Sequence, residues 1–235
     1  MSKIKFKDID FDFSNSFTPN LTSELFYDTA AKEIRNNCSL LDLGCGCGAV
    51  GLALERKFPS LTLCMSDISD GAITDAAINA KTYHSNSSII KSNIFENIKN
   101  KRFDIIINDI SGISEPVAKI SPWFFNAPCD SGISGLNLFE KVLMDAKKFL
   151  KDNGVILLPL LSLSNQSKAK EILDRYCSNY EIVASKDWFL PDDMVTNHEE
   201  TLMKLLDSND IFFTKKFGKY IAFTQVIKIL QKDLK

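Results

Sequence analysis

The chain is predicted to fold as an α/β domain, a mostly parallel sheet with helices packed on both faces, and three stretches carry that prediction. The run LLDLGCGCGAVGLAL, Leu40 to Leu54, passes from an apolar strand through glycines straight into a helix. The block Ile105-Ile106-Ile107 is apolar on both sides, as a parallel strand covered on both faces must be. Leu136 to Leu150 places Phe139, Val142, Leu143, Ala146, Phe149 and Leu150 on one side of a helix, directly before a further strand at Gly154 to Leu158.

The remaining elements follow in order. A helix from Ala49 to Lys57 must stop before Pro59. Leu61 to Ser69 reads as a second strand ending at Asp67, with a helix beginning near Gly71. SSIIKSNIF gives a short third strand and a turn at Ser92-Asn93, and Phe103 onward gives the fourth. Ser164 can cap a helix running to about Tyr176. Tyr180 to Leu190 and Lys219 to Ile229 read as strands six and seven, and the lack of a helix-only crossover between them fits an antiparallel last strand. Residues 1–36 form an N-terminal extension, expected to be helical, before a domain at 37–235. Residues 191–217 form an insertion with a helix at Asp193–Leu206, and both segments are candidates for a substrate lid.

The glycine-rich turn is the most informative feature. Four glycines in eight residues, Gly44, Gly46, Gly48 and Gly51, cost backbone entropy and let a ligand approach the main chain at the start of a helix. Gly46-x-Gly48-x-x-Gly51 satisfies a dinucleotide fingerprint, which points to an NAD(P)-dependent oxidoreductase. Asp42-x-Gly44-x-Gly46-x-Gly48 satisfies a second template, which keeps the whole strand and uses the carboxylate. A carboxylate there repels a pyrophosphate and suits a ligand bearing an amino group or a sulfonium. Asp67, at the end of the second strand, can accept both hydroxyls of a ribose or cap the next helix. Asn93 can accept from an amino group and donate to a ring nitrogen, or be a plain turn residue.

The acidic GxGxG pattern resembles motif I of the class I S-adenosylmethionine (SAM) methyltransferases. The resemblance spans about Asp42 to Leu158 and implies a single Rossmann-like domain with a seven-stranded sheet and an antiparallel last strand. It implies SAM as cofactor, held by Asp42, Gly44, Cys45, Gly46, Gly48, Asp67, Ile68, Asn93, Ile94 and Asp109. Phe17-Thr18-Pro19 with Ser23-Glu24-Leu25, Asp130-Ser131-Gly132 through Phe139, and Lys151-Asp152-Asn153-Gly154-Val155 are similar to the HemK-like branch, which methylates planar amides and exocyclic amines. That branch carries Asn- or Asp-Pro-Pro-aromatic after the fourth strand. Here Asp109 matches the first position, while Ile110, Ser111 and Gly112 replace the rest. Asp109 is the first catalytic candidate, followed by Ser111 and Glu115, with His198 last. Methyl transfer needs a close, aligned acceptor in a dry pocket and no nucleophilic triad.

Composition narrows the alternatives. With 235 residues and 45% hydrophobic content the chain can bury one good core. No stretch approaches the length of a membrane span, and no apolar signal region follows Met1. Six cysteines lie scattered, there are only two histidines, and Cys45-x-Cys47 is too short for the usual metal pair, so no metal site is expected and the thiols read as reduced in a cytoplasmic protein. A net charge of −2 does not favour a nucleic-acid partner, although lysines gather at both ends of the sequence. The expected acceptor is an oxygen or nitrogen; the pI, the altered turn after the fourth strand and the aromatic loop favour a small molecule over a peptide or protein side chain. Ser121-Pro122-Trp123-Phe124-Phe125 could line its pocket or anchor a long loop, and Trp188-Phe189 reads as core. A HemK-like protein glutamine methyltransferase and a non-catalytic SAM-binding subunit are the further alternatives.

Overall fold

The computed structural model describes residues 2–14, 16–110, 112–124 and 129–235. Five parallel strands occupy one side of the main sheet: β3 (Ser39–Leu43), β4 (Thr62–Asp67), β5 (Ser88–Lys91), β6 (Phe103–Asn108) and β7 (Leu150–Leu161). β8 (Glu181–Phe189) forms the far edge, and β10 (Lys219–Leu230) inserts antiparallel between β7 and β8. The spatial order is β5-β4-β3-β6-β7-β10-β8. The short β9 (Thr214–Lys216) pairs with the start of β10, which makes eight strands where seven were expected.

Period-two alternation divides the core between the two faces. Leu40, Ile105 and Ile107 join Leu52, Leu54 and Ala76 of α2 (Ala49–Lys57) and α3 (Asp70–Thr82), together with Phe26 and Ala30 of α1 (Leu21–Glu33). Leu41, Leu43 and Ile106 face the other way. They join Phe139, Val142 and Leu143 of α5 (Asn137–Phe149) and Ile172 of α6 (Gln166–Tyr176). A third cluster lies under α4 (Glu115–Ile120) and α7 (Asp192–Asp207), where Ile113, Val117, Met194, Leu202 and Tyr220 meet.

Several expectations change at element boundaries. Residues 2–13 form a hairpin, β1 (Ser2–Phe6) with β2 (Ile9–Phe13), where a helix was expected. Alternating Ile9, Phe11 and Phe13 give β2 a strand period, and Phe11 is fully buried. Asn165, not Ser164, caps α6: its side chain accepts from the Lys168 amide, while the Ser164 hydroxyl donates to the Leu161 carbonyl. The helix after β4 is capped by Ser69, which leaves Asp67 free of that duty. Phe189 is 62% exposed and so is not core. No helix among the described residues is long and apolar enough to cross a membrane.

Candidate active site

The strands β3, β4 and β6 end side by side, and the turns that follow them define one cavity of about 440 Å³. The β3–α2 turn is held from below by Ser66, whose carbonyl accepts from the Gly44 and Cys45 amides at 2.8 and 3.0 Å. Gly44 has φ +81°, and a Cβ there would lie 2.9 Å from the Ile110 side chain, so neither the conformation nor the space tolerates another residue. The turn is also held by Asp67, whose Oδ2 accepts from the Gly46 amide at 3.0 Å and whose Oδ1 accepts from Ser69 at 2.9 Å.

Asp42 is buried behind this turn and accepts from the Gly51 amide at 3.0 Å. A Cβ on Gly51 would come within 2.9 Å of that carboxylate oxygen, which is why α2 carries a glycine in its first turn. Burial, then repulsion from Asp109 and from Asp67, pushes the Asp42 carboxyl up to about 7. Asp109 begins the turn after β6, its amide donating to the Leu43 carbonyl at 3.1 Å. Its Oδ2 accepts from the Ser23 hydroxyl at 2.8 Å. Burial raises the Asp109 carboxyl to about 6 despite the opposing pull of that hydrogen bond. Three carboxylates, Asp42, Asp67 and Asp109, thus line a single cavity, an arrangement that suits a cationic ligand.

The N-terminal segment supplies one wall. Ser16, Phe17, and Pro19 through Ser23 line the cavity, and the Phe17 carbonyl lies 3.5 Å from where a Gly46 Cβ would stand. Asn20 and Ser23 form a capping box that opens α1 at Asp109. The segment is tethered to α3. Asn79 exchanges two hydrogen bonds with the Asp12 backbone and also donates to the Cys47 carbonyl at 2.9 Å. Asp75 accepts from the Ser14 amide and the Ser16 hydroxyl.

The far end of the cavity is aromatic. Phe17 and Phe124 meet with ring centroids 5.5 Å apart, Trp123 packs edge-on against Trp188, and the Trp188 indole donates to Thr224 at 3.1 Å. Trp188 therefore lines the site while also packing, half-buried, against the third core cluster. Ile68, Asn93 and Ile94 line the opposite end, beside Asp67, with the Asn93 side chain donating to Glu96 at 2.8 Å.

Glu115, a catalytic candidate from the sequence, stands apart from this cavity. Its carboxylate accepts from the Gly132 amide at 2.8 Å and its own amide donates to the Gly132 carbonyl, so it braces two loops. Gly48, expected among the ligand contacts, instead caps α2 at φ +82° with its absent Cβ directed at Met65. Ser111 and Phe125 lie outside the described residues. Residues 191–217, expected as a lid, contribute nothing to the lining, and α7 packs on the third core cluster. Sequence reasoning missed Asn79, Lys141 and Thr224 and gave Ser23 no role of its own at the site; Ser23 meets Asp109 across 86 residues, Asn79 meets Asp12 across 67, and Trp188 meets Thr224 across 36.

Residues 14–109 match the family model of the methyltransferase small domain. The chain has the fold of the class I methyltransferases, and its sequence likeness is to the HemK-like branch. It is 29% identical over 179 residues to a release factor glutamine methyltransferase of Streptococcus pneumoniae, covering 74% of this chain and 63% of that protein. It is 26% identical over 168 residues to ribosomal RNA small subunit methyltransferase C of Haemophilus ducreyi, covering 71% and 45%. A solved 16S rRNA N2 G1207 methyltransferase of T. thermophilus, in complex with AdoMet and guanosine, superposes at TM-score 0.57 with 14% identity, covering 95% of this chain and 49% of that one. The chain spans about half the length of the curated relatives it matches. The likeness to an rRNA methyltransferase overturns the expectation that nucleic acid is disfavoured for this methyltransferase-like chain. Net charge is a whole-molecule sum, whereas contact with a polynucleotide needs only a local basic face.

Proposed function

We propose that the chain transfers a methyl group from SAM to a nitrogen carried at the end of a group on a larger partner. The observation that carries this reading is the opening of the glycine turn and the Ser23–Asp109 pair into one cavity lined by three carboxylates. Asp67 and Asn93 would meet the ribose and the base, with Ile68 and Ile94 against the ring faces. Asp42, behind the glycine turn, would offset the positive charge of the methionine end. When bound, SAM supplies an electrophilic methyl on a sulfonium that leaves as a neutral thioether.

Asp109 would then hold the acceptor. As a carboxylate it accepts a hydrogen bond from the acceptor N–H, which orients the nitrogen lone pair toward the methyl. The carbon–nitrogen bond forms as the carbon–sulfur bond breaks, and the surplus proton on nitrogen passes to Asp109. Ser23 fixes the carboxylate, so the acid side chain does not swing away. A drug-sized ligand alone fills a cavity of this size. The aromatic end between Phe17, Phe124 and Trp188 would take the acceptor group. Relatives that act on proteins and on rRNA support the same reading. The thiol form of the cysteines would suit a reducing, cytoplasmic setting.

Calorimetric titration with SAM, S-adenosylhomocysteine and NADH tests the cofactor. Binding of the two adenosyl ligands alone is expected, and binding of NADH alone would return the Gly46–Gly51 fingerprint to favour. Transfer of labelled methyl from SAM to ribosomal protein, release factor and RNA fractions then tests the acceptor. Labelling confined to free metabolites would refute the macromolecular part.

A further inference from the structure

The turn between β9 and β10 costs the fold stability without an evident return. Phe217 and Gly218 both have positive φ, +53° and +77°, the signature of a two-residue hairpin turn that favours Asn or Asp before Gly. Phenylalanine in that position is strained, and its side chain is 95% exposed. It is not alone. All three exposed phenylalanines among the described residues lie on this corner of the molecule: Phe217 at the turn, Phe212 just before β9, and Phe189 opposite Ile221 at the end of β8.

Lysines surround the rings. Lys215 and Lys216 precede the turn and form no ion pair among the described residues, and the Lys216 ammonium lies 5.9 Å from the centroid of the Phe217 ring. Lys215 donates to the Tyr220 hydroxyl, which donates in turn to Glu199, and sits over that ring, so Lys216 and Lys186 are the lysines here without an acidic partner among the described residues. Lys186 is exposed on β8, opposite Thr224, while Lys219 is neutralised by Asp192. The corner stands at the working end of the sheet. β10 runs antiparallel to β7, with Thr224 opposite Leu161, so residues before Thr224 extend beyond the carboxyl ends of the parallel strands. At about 3.3 Å per residue, Phe217 lies roughly 20 Å along the strand from Thr224 and the aromatic end of the cavity.

We infer that this lysine- and phenylalanine-bearing hairpin is a docking surface for single-stranded RNA, which it holds while a nucleotide further along the strand enters the cavity. Exposed rings offer stacking faces to bases, and unpaired ammonium groups neutralise phosphates. A strand long enough to span about 20 Å can touch this corner and the cavity at once. An acidic protein segment satisfies the lysines but leaves three exposed rings unexplained. The inference rests on the cavity being the site of methyl transfer.

The test is fluorescence anisotropy of the full chain with a labelled 12-nucleotide single-stranded RNA of mixed sequence, alongside an RNA duplex and a poly-glutamate peptide of matched charge. Phe217→Asn suits the turn and so preserves the hairpin. It is expected to weaken RNA binding five-fold or more, since stacking is worth about 1–3 kcal/mol per base. Lys215→Glu with Lys216→Glu is expected to flatten the salt dependence by more than one unit of log–log slope. Binding of S-adenosylhomocysteine should be unchanged in both variants. Absence of RNA binding by the parent at 50 mM salt, equal binding by Phe217→Asn, or equal affinity for poly-glutamate would each overturn the inference. Failure of the parent to bind S-adenosylhomocysteine refutes instead the methyltransferase reading, which the RNA measurement does not touch.

Discussion

Replacing Asp42 by Asn should make the unliganded protein more stable at alkaline pH and a poorer binder of its cofactor. The buried carboxyl keeps its proton up to about 7 in the folded chain, whereas its ordinary value is 3.8. The folded state therefore binds more protons than the unfolded one between those limits. The associated stability is fully present below about pH 4 and is lost as pH rises through 7. A rise of this size corresponds to about 4 kcal/mol at pH 8, shrinking to about 1.5 kcal/mol at pH 5. Asn keeps an oxygen for the Gly51 amide and carries no charge to desolvate. For a domain of this size, about 2–4 °C per kcal/mol applies, so Asp42→Asn should melt several degrees above the parent at pH 8. The gain should be less than half as large at pH 5. Calorimetry should show cofactor binding weakened about five- to ten-fold, the difference between a charge-assisted and a neutral hydrogen bond. Melting curves that leave the variant no more stable than the parent at pH 8, or separated from it equally at both pH values, would refute the argument.

Three further outcomes follow from the same geometry. The Asp109 carboxyl, raised to about 6, can take up the acceptor's surplus proton only when ionised, so turnover should rise with pH through 6 and level off above it. Asp109→Asn should remove that inflection and lower kcat by about 10²-fold or more, read from initial rates across pH 5 to 8. Asn79→Ala deletes three hydrogen bonds at a buried position and should cost about 2–4 kcal/mol of stability in a urea melt. It should also weaken S-adenosylhomocysteine binding, because the Cys47 carbonyl and the N-terminal wall lose their common anchor. Trp188→Ala should enlarge the aromatic end without altering cofactor affinity, and so raise KM for the acceptor while calorimetry with S-adenosylhomocysteine stays as in the parent.

The half of the site proposed to bind the cofactor has parts that are local in the sequence. Asp42, Gly44 and Gly46 share one turn, Asp67 ends the next strand, and each position has a physical requirement that few residue types meet. The acceptor half was not readable in the same way. Trp188 and Thr224 meet only because β10 inserts beside β8, and Ser23 reaches Asp109 across 86 residues. No local pattern encodes such pairings. The hairpin of residues 2–13 was misjudged as helical because its alternation covers only five residues per strand. Glu115 sits near a promising turn in the sequence, but its position in α4 turns the carboxylate onto the Gly132 backbone. The cysteines of the glycine turn are a case where chemistry is suppressed by place, since burial pushes the Cys45 thiol well up and the Cys47 thiol to about 11.

The insertion of β10 into the middle of the sheet also imposes an order in time. Strands β3 to β7 can pair as they leave the ribosome, because each finds its neighbour among residues already made. β8 has no such neighbour, since its ladder is entirely with β10, the latest of the ten strands to be synthesised. The cradle can therefore be complete and able to take up its nucleotide while Trp188 still lacks Thr224 and the acceptor wall is unbuilt. On the proposed function, a nascent chain of this kind would gain the capacity to hold a reactive methyl donor before it gains any means of spending it, and the topology alone would keep those two events apart.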